Sequence, residues 1–175
     1  MKAFRSIRLL PSDAVYDEMN SPVGKLMIIA SSKGLHAVLW ETDRHDPICK
    51  NKLRDLSRTK NEKTIVETKK QLAEYFQGKR KKFDLPLVTN GTDFQQQCWQ
   101  QLLKIPYAKT ISYGEQATKL GDKNKCRAVG MANGSNPISI IIPCHRVIGS
   151  NGQLVGFGGG LSSKQWLIEH EKEYQ

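Results

Sequence analysis

In the second half of this chain three hydroxyl residues stand three positions ahead of a Glu or Gln at the edge of an apolar pattern: Thr92 with Gln95, Ser112 with Glu115, and Ser162 with Gln165. At that spacing the hydroxyl caps one free helix amide while the later side chain reaches back to another, so each pair marks a helix start. On the first helix Phe94, Cys98, Leu102 and Ile105 form an apolar stripe, which reads Cys98 as core. The second runs from about Tyr113 to Leu120, with Gly121 as its left-handed stop. Another helix begins near Asn124 and ends near Asn133, giving the helix, tight turn, helix order of a helix-turn-helix.

The first half is patterned differently. Ser21-Pro22-Val23-Gly24 and Lys33-Gly34 are turn signals, and between and after them lie the apolar segments Leu26 to Ala30 and Leu35 to Trp40. That alternation predicts a strand meander over residues 14–40. Residues 41–61 are polar and carry no clear period, after which Ile65, Leu72 and Phe76 recur at helical spacing up to Gly78. The basic run Lys79 to Lys82 is either a phosphate contact or a solvated helix end that complements the helix dipole. Leu85 to Gly91, with Pro86 and Asn90-Gly91, reads as a linker, so the expected domains are residues 1–88 and 89–175.

The longest uninterrupted apolar run has five residues, Leu26 to Ala30, far short of the ~20 that span a bilayer. Lys2, Arg5 and Arg8 are followed by Pro11, Ser12 and Asp13 where a signal peptide needs an apolar stretch, so an intracellular, cytoplasmic protein with no membrane partner is expected. The formal net charge of +10 suits an anionic partner or mere solubility. Residues 1–90 hold 18 basic and 11 acidic side chains, so the excess does not concentrate in the helix-turn-helix half. Local placement matters more: Lys123, Lys125 and Arg127 crowd the start of the second helix of that motif, where free amides also attract phosphate. Ala128, Gly130, Ala132 and Gly134 permit close approach to a nucleic-acid groove or to a neighbouring helix.

Cys49, Cys98, Cys126 and Cys144 have neither zinc-ligand nor redox-motif spacing, and no disulfide is expected. The unusual stretch is Asn136 to Gly149, where an apolar strand over Ile140 to Ile142 delivers Cys144, His145 and Arg146 between turn formers. Cys144 is then a structural thiol or a nucleophile. An unperturbed thiol is only about 3% ionised at pH 7, so the second role needs a base or a positive field. Adjacent residues of an extended chain face opposite ways, so His145 would serve through a water or a bent backbone, and Glu171 is available to orient it. Gly156-Phe157-Gly158-Gly159-Gly160 fails the dinucleotide pattern at Leu161; it is a loop for close approach to a flat ligand or a helix-entry turn.

Pro143-Cys144-His145-Arg146-Val147, with Asn136-Pro137 before it and Gly159-Gly160-Leu161, Lys164 and His170-Glu171 after it, resembles the methylated-DNA–protein-cysteine methyltransferases, or O6-alkylguanine-DNA alkyltransferases. The likeness extends upstream through Arg127-Ala128-Val129-Gly130, Ser112-Tyr113-Gly114, Ile105-Pro106, Trp99, Phe94-Gln95, Tyr75-Phe76-Gln77-Gly78 and Ser21-Pro22-Val23-Gly24. It implies an α/β fold in which a ribonuclease-H-like amino-terminal domain precedes a mainly helical winged helix-turn-helix domain. The implied activity is DNA repair by direct reversal: stoichiometric, irreversible transfer of an alkyl group from O6-alkylguanine to Cys144, by a suicide transferase without cofactor.

The resemblance also implies roles. Glu171 holds His145, which takes the Cys144 proton through a water; Tyr113 protonates or hydrogen-bonds the departing guanine and favours nucleotide rotation; Asn136 stabilises the turn before the active site. The carbonyls of Cys144 and Val147 receive the guanine amino group, with Phe157 and the Gly158 amide beside the base. Arg127 fills the vacated space in the duplex, and Lys125 and Arg146 complete the DNA-facing set. The partner is double-stranded DNA carrying O6-alkylguanine, bound through the minor groove by a monomer with the nucleotide flipped out. Phe157 stands where the family usually has tyrosine, and Ser139 where some members have proline, which leaves pocket width and O4-alkylthymine open. Only Cys49, His36 and His45 are at hand for the zinc site of certain relatives, so no metal is expected. A Cys-His hydrolase and a DNA-binding regulator with an incidental cysteine are the competing classes, and stoichiometry separates them.

Overall fold

The computed structural model describes Ile7 and residues 9–175, so Lys2, Arg5 and Arg8 lie outside the described residues. Strands β1 (Val15–Ser21), β2 (Gly24–Ser31) and β3 (Gly34–Trp40) form the expected antiparallel meander. Its turns are tight because Ser21 pairs with Gly24 and Ser31 with Gly34, and both glycines take positive φ, 99° and 135°. The polar span that the sequence left unassigned holds a 3₁₀ turn (Glu41–His45), α1 (Pro47–Arg54) and the two-residue β4 (Ser57–Arg58). Pro47 suits a first helical position, but α1 is only eight residues long and mostly polar, too short for a repeating apolar pattern. β4 joins β1 in parallel, giving the sheet order β3-β2-β1-β4.

The β2 run is buried on both faces, as a continuous apolar segment should be. Leu26, Ile28 and Ala30 belong to the main core with Ile65, Leu72 and Tyr75 of α2 (Lys63–Phe76), while Met27 and Ile29 pack with Ala37, Leu39 and Cys49. The main core continues across the molecule through Trp99, Leu102, Ile105, Ile138 and Ile140 to Ile142, so both halves share one interior.

In the second half α3 (Asp93–Leu102) and α4 (Tyr113–Lys119) start at Thr92 and Ser112 with both bonds of each capping box formed. Between them lies β5 (Ile111–Ser112), followed after α4 by a 3₁₀ turn (Lys123–Lys125) and α5 (Cys126–Gly134). The last helix of the motif thus begins later than the sequence predicts, because Asp122 caps the 3₁₀ turn by accepting from the Asn124 amide. Gly121 has φ 92° and ends α4 as expected. The third box does not form: α6 (Gly160–Glu173) starts three residues earlier, with Gly159 in place of Ser162 at the cap and the Gly160 amide donating to the Phe157 carbonyl, so Ser162 lies inside its first turn.

Two segments dock on the outer edge of β3. In the predicted linker, the Leu35 amide donates to the Pro86 carbonyl (2.7 Å) and the Val88 amide to the Leu35 carbonyl (2.8 Å). The Val38 amide donates to the Pro137 carbonyl, and the Ser139 amide to the Val38 carbonyl. These contacts anchor the segment that leads to Cys144. No helix among the described residues is long and apolar enough to cross a membrane.

Candidate active site

Ile140 to Ile142 are not the apolar strand expected. Ile142 donates back to the Ile138 carbonyl, Ile141 to that of Ser139, and Ile140 is held at φ 73°, a conformation unfavourable for a β-branched residue. Only Val147–Ile148 forms a strand, β6, which pairs in parallel with β5. Asn136 organises the turn. Its Oδ1 accepts from the Ile138 amide (3.0 Å), and its Nδ2 lies 2.8 Å from the Ile142 carbonyl and 3.3 Å from Cys144 Sγ. Cys144, His145 and Arg146 then form a single 3₁₀ turn, the bent backbone that lets neighbouring side chains serve one site.

Glu171 of α6 is the hub. Its Oε1 accepts from His145 Nε2 (2.8 Å), Tyr75 Oη (2.9 Å) and an Arg146 terminal nitrogen (2.9 Å); its Oε2 accepts from Arg146 Nε (2.9 Å) and the Ala108 amide (3.0 Å). Burial by itself would raise this carboxyl, but the donors from His145 and Arg146 outweigh it and hold the acid well below the carboxylate range. Burial pushes the His145 ring below its ordinary 6.5, against the pull of Glu171. At neutral pH the ring is therefore uncharged, with Nε2 donating to the carboxylate and Nδ1 left as an acceptor. Nδ1 is buried and has no hydrogen-bond partner among the described residues.

Burial also raises the Cys144 thiol, and the Asn136 side chain and the Lys164 charge oppose it. Lys164 is itself buried, with its ammonium 2.9 Å from the Val155 carbonyl and 5.7 Å from the centre of the Tyr113 ring. Tyr113 Oη also approaches the Val155 carbonyl (3.3 Å), so Lys164 and Tyr113 fix the start of the glycine-rich loop. Burial, then the sulfur nearby, raise the Tyr113 phenol to about 12, which keeps it protonated and able to donate a hydrogen bond.

Cys144 is 8% exposed and lies on a cavity of about 30 Å³ with Trp40, Tyr113, Asn136, Ser139, Phe157 and Gly158. Outside it, Tyr113, Phe157 and Gly158 also line an open groove of about 740 Å³ together with Arg127, Gly130 and Met131 of α5. Of the residues singled out from the sequence, Cys144, Tyr113, Asn136, Phe157 and Gly158 meet at the cavity, His145 and Glu171 are joined behind it, and Arg127 is exposed at the groove. Val147 is core, in β6, and Lys125 lies aside from the groove lining, near Asp122 and over the Phe94 ring. Arg146 is not DNA-facing: it is 7% exposed, grips Glu171 with two nitrogens and donates to the Ile105 carbonyl (2.6 Å).

Sequence reasoning gave no role to Tyr75, Lys164 or Trp40. Tyr75 stands beside the Ile65, Leu72 and Phe76 pattern and enters the sequence reading only through the family likeness, and nothing local reveals that its hydroxyl reaches Glu171 from the other half of the chain. Among the described residues no group of three or more His, Cys, Asp or Glu is placed to hold a metal ion.

This arrangement has counterparts. The family described as 6-O-methylguanine DNA methyltransferase, ribonuclease-like domain, matches residues 14–89, and its DNA-binding domain matches residues 93–173. The chain belongs to this family. Methylated-DNA–protein-cysteine methyltransferases from Methanosarcina barkeri and Mycobacterium leprae are similar: the first is 42% identical over 160 residues, covering 90% of this chain and 96% of the relative; the second is 43% identical over 154, covering 88% and 90%. Mycobacterium tuberculosis O6-methylguanine methyltransferase superposes with a TM-score of 0.83 at 40% identity, covering 93% of this chain and 94% of that one. A structure of the M. tuberculosis protein, named OGT, in complex with DNA matches with a TM-score of 0.80 at 40% identity, covering 91% and 93%. The methyltransferase family thus accounts for both halves of the fold, the ribonuclease-like sheet and the helical domain that carries Cys144.

Proposed function

We propose that this protein is a transferase that repairs alkylated DNA once, taking the alkyl group from O6-alkylguanine onto Cys144. The observation that carries the reading is the joining of a cavity-lining thiol, a neutral histidine with a free acceptor nitrogen, and a carboxylate saturated by donors. His145 Nδ1 takes the thiol proton through a water. The thiolate attacks the alkyl carbon, the S–C bond forms as the C–O6 bond breaks, and the electron pair leaves with the guanine. Tyr113 donates a proton to the base, so guanine departs neutral. Burial makes the thiolate costly without this machinery, and Asn136 and Lys164 favour the anion.

A base inside a duplex is out of reach of so enclosed a sulfur, so the nucleotide must rotate out of the stack at a cost of a few kcal/mol. Arg127, exposed on α5 beside the groove, fills the space it leaves. The small residues of α5 suit a shallow minor groove, and Lys125 adds positive charge near phosphate without reading sequence. The backbone of Cys144, Val147 and Gly158 holds the extruded base against Phe157. The protein acts as a monomer, with residues 1–88 as the ribonuclease-like domain and 89–175 as the acceptor domain. Damaged duplex is then recognised by shape and by the lesion rather than by neighbouring bases.

The test is intact-mass measurement after incubation with DNA carrying one O6-methylguanine. One methyl is expected per protein, on the peptide containing Cys144, with no further lesion consumed. Repeated turnover, or an adduct elsewhere, would overturn the proposal.

A further inference from the structure

The wall of the Cys144 cavity is not built by the acceptor half alone. Trp40, the last residue of β3, is 3% exposed and lines the cavity. Its indole Nε1 donates to Ser139 Oγ (3.1 Å), and its ring meets Phe157 edge-on with centroids 5.3 Å apart. Its backbone amide donates to Asp43 Oδ2 (3.0 Å), which fixes the residue where the chain leaves the sheet. Close approach by the glycine-rich loop depends on this ring: a Cβ on Gly159 would fall 2.6 Å from indole carbons, and one on Gly158 3.1 Å from Cδ1. Real Cβ atoms are not found at the first distance, so the ring and the loop occupy complementary space.

We infer that Trp40 is a specificity-determining residue, which closes the alkyl end of the pocket from the amino-terminal half and confines transfer to small adducts. The inference rests on the alkyl-transfer reading of the site and deepens it. A cavity of about 30 Å³ has room for a methyl-sized group. The Trp40 side of the wall is held from several directions. Ser139 holds the indole nitrogen, β3 holds the backbone, and Phe157 and Gly159 pack on the ring. Bulk directed at that wall, away from the open groove, displaces the ring, and well-packed interiors resist such movement.

The experiment compares rates of transfer from duplexes carrying O6-methylguanine or O6-benzylguanine to the full chain and to Trp40→Leu, Trp40→Phe, Gly159→Ala and the double variant Trp40→Leu/Gly159→Ala. Trp40→Leu is expected to raise the benzyl-to-methyl rate ratio about 10-fold or more, on the scale by which pocket volume discriminates substrates. Trp40→Phe should give a smaller rise. Gly159→Ala should slow methyl transfer in the parent, and Trp40→Leu should restore it, a rescue that generally loosened packing would not produce. An unchanged ratio in folded variants, or no rescue of Gly159→Ala, would overturn the inference. Failure of the parent protein to accept a methyl at all would instead overturn the proposed function.

Discussion

Cys98 and Cys144 are both buried thiols of the carboxy-terminal half, and their surroundings differ in kind. Cys98, on α3, is packed with Ala117, Val129 and Ala132, and burial alone pushes its thiol to about 11. Cys144 is also raised by burial, yet an amide at 3.3 Å and a buried lysine oppose the rise, and a cavity lies beside it. Burial is common to inert and reactive cysteines; the polar groups buried with the sulfur make the difference. Tyr113 packs against both clusters, so one side chain is common to the surroundings of the two thiols.

The sharpest way to break this comparison is to exchange the thiols in turn. Cys144→Ser is expected to abolish alkyl transfer completely while retaining lesion binding, measured by intact mass and gel shift, whereas Cys98→Ser leaves transfer intact. Next in size is Glu171→Gln. It leaves Arg146 buried without its counter-charge, a loss of about 3–5 kcal/mol of stability that denaturant unfolding would register. Tyr113→Phe keeps the ring between the two clusters but removes the proton donor, and single-turnover transfer should slow roughly 100-fold. The cost of Cys98→Ser lies in stability instead, about 1–3 kcal/mol for a buried hydroxyl in an apolar cluster.

The smallest effect is the pH response. His145 has its folded-state pKa depressed below 6.5, so its neutral form contributes stability above pH 6.5 that is lost as pH falls through the depressed value. Glu171, depressed from 4.5, adds a second loss below that pH. Transfer should therefore hold from neutrality down through pH 6.5 and decline only at lower pH, while spectra dominated by the Cys98 helices stay unchanged until the carboxylate titrates. A decline beginning above pH 7 would contradict the neutral histidine.

The contrast between local and distant determinants also explains what the sequence discloses. Thr92 and Ser112 were legible because a capping box is closed within four residues, and the structure forms both. The box at Ser162 failed because Gly159 and Gly160 offer an earlier start without a side-chain cap. Ile140 to Ile142 look like a strand, but Asn136 and the edge of β3 fold them into a turn. Arg146 reads as a surface cation until Glu171, twenty-five positions on, claims it. Tyr75 and Trp40 come from the other half of the chain, where no spacing rule reaches.

The occupied edge of β3 has a consequence for how copies of the chain behave together. An open strand edge is a template for another strand, and a protein kept in reserve until damage appears must avoid such pairing. Here Leu35 and Val38 are already satisfied by residues 86–88 and 137–139. At the opposite side β1 pairs with the two-residue β4, and Asp17, a fully buried carboxylate on β1, is bound by Arg58 and Lys69. The β3 flank of the sheet is thereby closed to a neighbouring strand, and one of the two rungs that close it belongs to the same segment that carries the sulfur.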